Sequence, residues 1–518
     1  MEYKSFLDAR KIESGADIEA DLCVVGAGAA GITIAREFAN ANLRVCLLEA
    51  GGLSIDPKVN RLSKIDDVSQ NSNKDVNADR LRYFGGTTNH WGGHCAPLES
   101  DDFEKHEWIA YSGWPYGYNE LRPYYIRAHD VLSVGYFDYD PEIIGSALGF
   151  DTFPFDKTRV ATTVSRYNRV RFGRTFGGEL DRAKNIQVIL YAEVSAISME
   201  NSATDKVDSV LVQSIAGNQF RVKARYFAIA CGGVENARVL LLSNQQRSSG
   251  IGNHSDLVGR FFQCHLWYPS GYILPRTENP RLRYYLGERS YADIWVRAHI
   301  ALPSDRVREL QIPKFRSEIK SVSAALRLDR AIRNKLSIDD IFALMSDPVG
   351  IGSMVRCRSD AAHTAYLLVN SVQQTPNLDS RVKLSTKKDP FGRPHPQLDW
   401  KLSRLDQEGV IKAQRLIAQE VGRSGFGRMR IEMREGTDDF LGGCESTPHH
   451  MGTTRMDDDP ARGVTDGNAN VHHTHNLYVA GSSLFPTCGW PNPTLTIVAT
   501  SIRLADHLKK RFRADGAL

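Results

Sequence analysis

The segment after residue 20 combines two apolar runs with a glycine-rich turn. Residues 21–25 form an apolar run that leads into the turn at 26–31. A helix-compatible stretch covers 32–39, and a second apolar run, 44–48, ends at the acidic Glu49. Continuous apolar runs of this length are typical of strands buried on both faces of a parallel sheet. The pattern predicts strand, glycine turn, helix, strand and acid.

Short strands are also predicted in the middle of the chain, where apolar residues alternate with polar ones or cluster between them. They cover 186–190, 194–197, 210–212 and 226–230. The last of them runs into Cys231-Gly232-Gly233 and then into a helix-compatible stretch at 234–242. The sequence therefore predicts a second strand–glycine–helix junction.

The residues from about 262 to 400 predict an antiparallel sheet. Residues 325–328 alternate in polarity, and 366–370 form a short apolar run. Further helices are predicted at 119–132, 332–344 and 406–421.

The last part of the chain returns to the α/β pattern. A buried strand at 476–480 enters Gly481-Ser482-Ser483, and an amphipathic helix covers 494–512. Because one crossover unit cannot bury a doubly wound sheet, distant segments must complete it. We therefore expect an α/β fold with a discontinuous, Rossmann-like nucleotide-binding domain at 18–100, 185–265 and 441–518. An α+β substrate domain with an antiparallel sheet takes 101–184 and 266–440.

Composition is ordinary for a globular protein and excludes few functions. The 518 residues are 42% hydrophobic, and a net charge of +4 at this length gives no reason to expect nucleic-acid or membrane binding. No apolar run is long enough for a membrane span, and the N-terminus lacks the layout of a signal peptide. The eight cysteines are far apart without a CxxC pair, which favours reduced thiols in a cytoplasmic protein.

The glycine turn has the spacing of a dinucleotide-binding fingerprint. In that role Gly26 makes the tight turn, Gly28 lets the backbone approach a pyrophosphate, and Gly31 lets the helix pack on the strand. The N-terminus of the helix would face the phosphates with its free N–H groups and positive dipole. Glu49 at the end of the second strand is placed to accept hydrogen bonds from the two hydroxyls of an adenosine ribose.

Two segments near the C-terminus predict acid–base chemistry. His449 and His450 precede the turn that starts at Gly452, and Asn492 lies between two prolines directly before a helix. A neutral imidazole is a natural acceptor for the proton of an alcohol, and an adjacent amide orients the same hydroxyl without adding charge. The flanking prolines restrict the backbone and so give Asn492 one defined direction.

These motifs together resemble the glucose–methanol–choline (GMC) oxidoreductases. They are the N-terminal GAGAAG turn with Glu49, GGTTNHWGG at 85–93, the strand that ends in Cys231-Gly232-Gly233, HHMGTTRM at 449–456 and LYVAGSSLFPTCGWPNPTLT at 477–496. The resemblance covers nearly the whole chain and is weakest between about 262 and 400. It is closest to the bacterial sugar and pyranose oxidase branch, in which asparagine is normal in the last motif.

The resemblance implies FAD as the cofactor, with the flavin between the two domains, and a catalytic pair of His449 and Asn492. His449 is preferred to His450 because it keeps the family's spacing to Gly452. Val194 would meet adenine, 85–91 would lie along the isoalloxazine, and Gly481-Ser482 would approach the pyrophosphate or ribityl chain. The implied cofactor-binding residues are Gly26, Gly28, Ala29, Ala30, Gly31, Glu49, Ala50, Gly85, Gly86, Thr87, Asn89, His90, Trp91, Val194, Cys231, Gly232, Gly481, Ser482, Asn492, Pro493 and Thr494.

Several other histidine, cysteine and aromatic residues have more than one possible role. His90 matches a position that is bonded covalently to flavin in some fungal sugar oxidases, but a histidine that only stacks near the ring is the expectation here. The histidines at 472, 473 and 475 lack carboxylate or cysteine neighbours, so a surface loop is expected and no metal site. Cys95 and Cys488 are expected to be buried thiols, and Tyr83, Trp91 and Trp490 to be cavity walls.

The predicted function is oxidation of a CH–OH group on a sugar, glycoside or aminosugar. His449 would take the hydroxyl proton while hydride passes to flavin N5, and oxygen, a quinone or a dye-like acceptor would reoxidise the flavin. Two alternatives remain open: an FAD-containing lyase of the hydroxynitrile-lyase type, and a flavoprotein subunit of an electron-transfer complex. The substrate, the hydroxyl attacked and the oligomeric state do not follow from the sequence.

Overall fold

The helices and strands come from a computed structural model, which describes residues 3–69, 76–77, 80–201, 204–277, 279–322, 365–432 and 444–518. The helices are α1 Ala29–Glu37, α2 Pro57–Asn60, α3 Tyr118–Leu132, α4 Pro141–Ala147, α5 Phe172–Arg182, α6 Glu235–Leu242, α7 Leu282–Tyr285, α8 Ser304–Leu310, α9 Arg404–Arg423 and α10 Thr494–Ala514. The strands are β1 Leu7–Asp8, β2 Asp17–Glu19, β3 Leu22–Val25, β4 Val45–Leu48, β5 Asp66–Asp67, β6 His94–Cys95, β7 Ala161–Tyr167, β8 Ile186–Leu190, β9 Glu193–Met199, β10 Val207–Gln213, β11 Gln219–Lys223, β12 Tyr226–Ile229, β13 Leu266–Pro275, β14 Arg289–Tyr291, β15 Ile294–Ala301, β16 Phe315–Val322, β17 Ala365–Val372, β18 Arg381–Lys388, β19 Pro394–Asp399, β20 Gly427–Ile431, β21 Glu445–Ser446 and β22 Leu477–Val479.

A parallel sheet carries the N-terminal glycine turn. Within the described residues its strand order is β1-β8-β4-β3-β12-β22, and every neighbouring pair is parallel. The strands β3, β4, β12 and β22 are buried along their whole length, as continuous apolar runs in a covered parallel sheet require. The predicted Rossmann-like α/β fold is therefore correct, including its completion by a strand from the C-terminal part.

The C-terminal helix α10 covers this sheet together with α1. Phe38 and Phe512 meet edge to face with their ring centroids 6.0 Å apart, and Lys509 Nζ lies 2.8 Å from a Glu37 carboxylate oxygen. α10 also contacts α3, where Arg127 pairs with Asp506 at 2.6 Å and with Glu37 of α1 at 2.7 Å. The last helix is thus packed against two helices from the N-terminal part of the chain.

A larger sheet, antiparallel throughout, forms the other half of the molecule. Its order in the described residues is β20-β13-β17-β16-β15-β7-β6, with β14 beside β15 and β21 beside β13. The helix α9 begins with a capping box in which Ser403 and Asp406 bond each other's backbone N–H groups. The predicted antiparallel sheet is present, while the predictions at 325–328 and 332–344 lie outside the described residues.

A few elements were missed by the pattern analysis. The helix α5 contains three glycines, which lower helix propensity by about 1 kcal/mol each relative to alanine. Two of them are dictated by packing, because a Cβ on Gly173 would collide with Phe84 O and one on Gly177 with the Tyr3 hydroxyl. The strands β2 and β11 were also missed: β11 pairs antiparallel with β10, which pairs antiparallel with β9, and β2 pairs parallel with β11.

Candidate active site

A cavity of about 490 Å3 opens at the carboxyl ends of the parallel strands β3, β4 and β12. This edge of an open α/β sheet is where ligands bind in general, and a cavity of this size is within the range of small-molecule sites. Its wall is formed in part by the glycine turn, by the loop at 85–93 that precedes β6, and by both C-terminal motifs. The structure therefore brings the four motif regions to one place.

The three glycines of the first turn have different surroundings. Gly26 has a positive φ of 99°, and a Cβ there would lie 2.7 Å from Ala230 O. A Cβ on Gly31 would collide with Gly26 O. By contrast, a Cβ on Gly28 would meet no atom within 4 Å, and Gly28 lines the cavity. Two of the glycines thus serve the turn, and the third leaves space that faces the cavity.

Glu49 closes the turn from the end of β4. Its carboxylate accepts the Ala27 N–H at 3.0 Å and the Gly51 N–H at 2.9 Å. Only 6% of the residue is exposed, and burial raises the pKa of the carboxyl group despite these two hydrogen bonds. Because an ionised carboxylate has about four acceptor positions, Glu49 retains acceptor capacity toward the cavity.

The cavity wall fits a dinucleotide. Gly28 and Gly232 both leave open space where a Cβ would be, so a ligand can approach the backbone at each of them. Ala29 and Ala30 line the cavity at the start of α1, where the first N–H groups of a helix have no intrahelical acceptor. Arg80 also lines the cavity, and two nitrogens of its guanidinium, Nε and Nη2, are buried without a hydrogen-bond partner among the described residues.

Most of the predicted cofactor-binding residues line this cavity, and three do not. Those on the wall are Gly26, Gly28, Ala29, Ala30, Glu49, Ala50, Gly86, Thr87, His90, Trp91, Val194, Cys231, Gly232, Gly481, Ser482, Asn492, Pro493 and Thr494. Gly31, Gly85 and Asn89 lie behind it. Gly85 has φ of 94° and Asn89 Nδ2 donates to Phe84 O at 2.8 Å, so both shape the loop rather than face the cavity.

An ion-pair network in the same wall was missed by the sequence analysis. Arg82 bonds Glu193, which belongs to β9, and lies 2.9 Å from Glu235 at the start of α6. Arg80 pairs with Glu235 at 2.7 Å. The partners are 111 and 155 residues apart along the chain, so no local pattern predicts them.

Both members of the proposed catalytic pair, His449 and Asn492, line the cavity. His449 Nδ1 lies 2.9 Å from Nδ1 of His265 and 3.1 Å from Oγ1 of Thr447. His265 is fully buried, and its Nε2 lies 3.0 Å from the carbonyl oxygen of Gly489, in the loop that leads to Asn492. His265 was not singled out from the sequence.

The strand pairing of β13 with β21 produces this arrangement. Leu266, the residue after His265, pairs with Ser446. The next residue, Thr447, donates both its backbone N–H and its hydroxyl to His265 O, at 3.2 and 3.0 Å. The segment that carries His449 is therefore fixed against the start of β13.

The histidines at this site are held neutral. Burial lowers the pKa of His449 well below its usual value, and His265, His94 and Arg316 lower it further. Burial also lowers the pKa of His265 to about 4 and that of His94 to about 3. At neutral pH the imidazole of His449 is thus an acceptor for a proton.

His450 also borders the cavity, but its backbone has a structural role. Its carbonyl oxygen accepts the Ser482 hydroxyl at 2.7 Å. A Cβ on Gly233 would collide with the same carbonyl, so the second strand–glycine–helix junction packs directly on it. The geometry places both histidines at the site, and the ring of His449 bonds the ring of His265.

A buried polar cluster on the antiparallel sheet lies close to His449; we call it the Arg316 cluster. Arg316 donates to Glu318 at 2.7 Å and to His299 at 3.1 Å, and Arg297 pairs with Glu318 at 3.2 Å. Burial disfavours the charged form of Glu318, but Arg316 and Arg297 outweigh it and lower the pKa to about 2. In the described part of the chain, four buried atoms of the cluster have no hydrogen-bond partner: His94 Nδ1, Tyr167 Oη, Arg297 Nε and Arg316 Nε.

The remaining candidate residues have local partners. His472 Nε2 donates to Asp457 O at 2.8 Å, and across the described residues no group of three or more His, Cys, Asp or Glu side chains is arranged to hold a metal ion. Cys95 and Cys488 are buried free thiols. His90 is exposed at the cavity wall, with its ring centroid 5.8 Å from that of Tyr83. No helix in the described ranges has the length and apolarity needed to cross a membrane.

Comparison with known proteins finds a family model that matches the C-terminal part of the chain and relatives that match nearly all of it. The family model described as GMC oxidoreductase matches residues 376–501. The chain is 26% identical to paromamine 6'-oxidase of Streptomyces fradiae, over 94% of this chain and 90% of the relative. It is 25% identical to the large subunit of fructose dehydrogenase from Gluconobacter japonicus, over 96% of this chain and 98% of the relative.

Solved structures share the fold at lower sequence identity. Pyridoxine 4-oxidase from Mesorbium loti superposes with a TM-score of 0.58 at 18% identity, covering 95% of this chain and 99% of that one. A variant of formate oxidase from Aspergillus oryzae gives a TM-score of 0.57 at 17% identity, with 97% and 100% covered. Both coverages are nearly complete, so the two-part architecture as a whole is shared.

Proposed function

We propose that the chain is a GMC oxidoreductase, an FAD-dependent enzyme that oxidises a CH–OH group of a sugar, glycoside or aminosugar to a carbonyl. The observation that carries the proposal is the position of a neutral imidazole, His449, on the wall of the cavity that also contains the glycine turn and Glu49. A base and a dinucleotide cradle in one cavity are what such an oxidation needs.

The cradle is assigned to the residues that leave room for a dinucleotide. When bound, FAD supplies the hydride acceptor at N5 of its flavin. Glu49 would accept the ribose hydroxyls, Gly28 and the start of α1 would receive the pyrophosphate, and Val194 would meet the adenine. We propose that His90 stacks near the flavin without a covalent bond to it, because its ring already packs beside Tyr83.

At the other end of the cavity His449 takes the hydroxyl proton while Asn492 holds the same oxygen. General-base help of this kind is worth about 10²–10⁴ in rate. Asn492 lies between Pro491 and Pro493 immediately before α10, so its backbone is restricted on both sides. The substrate hydroxyl thus has one proton acceptor, His449, and one neutral hydrogen-bonding group, Asn492.

The substrate class rests on two kinds of support. Two relatives that match nearly the whole chain are named for oxidation of paromamine, an aminosugar compound, and of fructose. The Arg316 cluster adds polar groups behind the cavity wall: Arg316 and His94 act on the pKa of His449, and four buried atoms of the cluster have no hydrogen-bond partner among the described residues. We propose that the antiparallel half, 101–184 and 266–440, binds the substrate, and that 18–100, 185–265 and 441–518 bind FAD.

Oxygen or a quinone is proposed as the electron acceptor, and the cytoplasm as the location. The cysteines in the described part of the chain are free thiols, and all of these except Cys231 are buried, which supports a reducing compartment. One relative is named as a large subunit, which keeps the role of a flavoprotein subunit as a second candidate. This candidate is tested by purifying the untagged protein and looking for a haem-containing or small partner that co-purifies with it.

Anaerobic reduction of the flavin tests the main proposal. The purified enzyme is mixed under nitrogen with a panel of neutral sugars, glycosides and aminosugars, and the flavin absorbance is followed. At least one member of the panel should bleach the flavin with saturation kinetics. If a substrate is converted while the flavin stays oxidised, the enzyme is a lyase and the proposal is wrong.

A further inference from the structure

The contact between His265 and His449 contains information about where their protons lie. Their Nδ1 atoms are 2.9 Å apart, a distance that requires a hydrogen bond with one donor and one acceptor. In a neutral imidazole one nitrogen carries hydrogen and the other carries a lone pair. The second contact of each ring decides which nitrogen is which.

The second contact of His265 is to a group that only accepts. Its Nε2 lies 3.0 Å from the carbonyl oxygen of Gly489, which has no hydrogen to donate, so Nε2 of His265 carries the hydrogen. Burial lowers the pKa of His265 to about 4, so the ring is neutral at pH 7. Nδ1 of His265 is then a lone pair and accepts from His449.

The contacts of Thr447 agree with this assignment. Its hydroxyl donates to His265 O at 3.0 Å, which leaves an oxygen lone pair toward His449 Nδ1, 3.1 Å away. Both neighbours of His449 Nδ1 therefore accept, and His449 must carry its hydrogen on Nδ1. The lone pair of its neutral ring is on Nε2.

We propose that His265, supported by Thr447, is a positioning residue that fixes His449 as the Nδ1–H tautomer, so that Nε2 of His449 is the atom that takes the substrate proton. The inference rests on the proposed role of His449 as the base. It also selects His449 over His450, because the constraint acts on the ring of His449.

The same chain of hydrogen bonds retains the proton after it is taken. Once Nε2 of His449 is protonated, its Nδ1–H still donates to His265, whose own Nε2–H ends on the Gly489 carbonyl. A carbonyl cannot pass the proton on, so the chain is closed and the charge stays on His449. The carbonyl belongs to the loop that leads to Asn492, so one buried ring ties together the segments that carry both catalytic residues.

A pair of isosteric substitutions separates this role from simple packing. The amide oxygen of His265→Asn occupies the position of Nδ1 and still accepts from His449, whereas the amide nitrogen of His265→Gln occupies the position of Nε2 and retains only the contact to Gly489. We expect His265→Gln to slow flavin reduction by about 10²-fold with little change in KM, and His265→Asn to stay within about 5-fold of the wild type. For comparison, loss of the residue that fixes the tautomer of a catalytic histidine costs about 10⁴ in serine proteases.

The tautomer is also measured directly, without any turnover. In protein labelled with ¹⁵N-histidine, protonated and unprotonated ring nitrogens have clearly different chemical shifts, and the His449 signals are those that vanish in His449→Ala. We expect the wild type to show a protonated Nδ1 and an unprotonated Nε2, and His265→Gln to show a mixture. A protonated Nε2 in the wild type overturns the proposal.

Equal losses in His265→Asn and His265→Gln would also overturn it, because they would indicate packing alone. If His265→Gln does not fold, as judged by retained FAD and thermal unfolding, Thr447→Val is the second variant. It removes one acceptor from His449 Nδ1 together with the hydroxyl bond to His265 O, while the backbone N–H bond to His265 O remains. It should slow reduction up to about 10-fold, with recovery in Thr447→Ser. A wild-type enzyme that no sugar or alcohol reduces refutes the proposed function, while the ¹⁵N shifts still decide the tautomer.

Discussion

The carboxylate of Glu49 accepts the backbone N–H of Ala27 at 3.0 Å and thereby joins the end of one parallel strand to the glycine turn that follows its neighbour. The same carboxylate lines the proposed ribose site. One side chain thus both shapes the turn and presents acceptors to the ligand, which makes its removal informative.

We expect Glu49→Ala to release FAD. Hydrogen bonds to a charged group are worth about 1.5–3 kcal/mol each, so loss of the ribose contacts should weaken binding by at least about 10-fold. Gel filtration followed by the flavin-to-protein absorbance ratio measures this. Glu19→Ala removes a carboxylate with a side chain that is 70% exposed and should retain FAD. Normal retention in Glu49→Ala would show that this residue does not meet the ribose.

Alanine at two glycines of the turn should have opposite effects. Gly28→Ala adds a methyl group that meets no protein atom within 4 Å, so the apoprotein should fold normally and bind FAD poorly. Gly31→Ala drives its methyl group into Gly26 O and should lower the thermal stability of the apoprotein itself. Circular dichroism melts of the two apoproteins, with FAD titrations, test the pair. Tight FAD binding by Gly28→Ala would contradict the placement of the pyrophosphate.

His449→Ala should leave FAD bound and slow reduction by substrate by about 10²–10⁴, the expected loss of a general base. Asn492→Ala should slow it less, because the base remains. Since the two residues serve one hydroxyl, the double variant should be less damaged than the product of the single effects. Stopped-flow reduction under nitrogen gives all three rates.

His450→Ala is the control for that series and should retain most activity. If His450→Ala is inactive and His449→Ala is active, the choice within the doublet is wrong. If neither substitution matters, general-base oxidation at this site is wrong.

Stability should fall as pH decreases below about 6.5. His129 and His265 are buried, and burial lowers the pKa of each to about 4. Between pH 6.5 and pH 4 these histidines are protonated in the unfolded chain but not in the folded protein. The free energy of unfolding therefore decreases as the pH is lowered through this range. At pH 5 each histidine should cost about 2 kcal/mol relative to pH 7. Thermal unfolding at both pH values measures this, and His129→Gln should reduce the difference.

A buried ion pair and an exposed one offer a matched test of stability. Arg238 and Asp389 have side chains that are 1% and 0% exposed and lie 2.7 Å apart, so Arg238→Ala should cost about 3–5 kcal/mol by leaving a buried carboxylate with fewer partners. Arg404 pairs with Glu408 at 2.6 Å but its side chain is 89% exposed, so Arg404→Ala should cost at most about 0.5 kcal/mol. Comparable melting temperatures for the two variants would contradict the buried pair.

The features that the sequence predicts well are those set by neighbours along the chain. The strand–glycine–helix turn is local, because the apolar run, the glycines and Glu49 lie within thirty residues of one another. The helix α5 was missed because two of its glycines are required by close packing against Phe84 and Tyr3, which are remote in sequence. Local propensity gave the wrong answer there since packing decided the outcome.

The contact between His265 and His449 illustrates what a single sequence does not contain. The two residues are 184 positions apart, and the pairing of Leu266 with Ser446 brings them together. A single histidine before a strand belongs to no recognisable motif, whereas the histidine doublet at 449 and 450 beside a glycine turn does. The Arg316 cluster was missed for the same reason, because its members come from β6, β7, β15 and β16.

Because β22 comes late in the chain, the parallel sheet and the cavity wall are completed late in synthesis. Phe227 pairs with Leu477, so about 250 residues must be translated between the two strands, roughly 10–50 s at about 5–20 residues per second. Until then the edge of β12 is unpaired, and neither Gly481 nor Asn492 exists to complete the cavity wall. The cavity wall is therefore complete only after residues 481–494 have been translated, and one edge of the parallel sheet stays open until then.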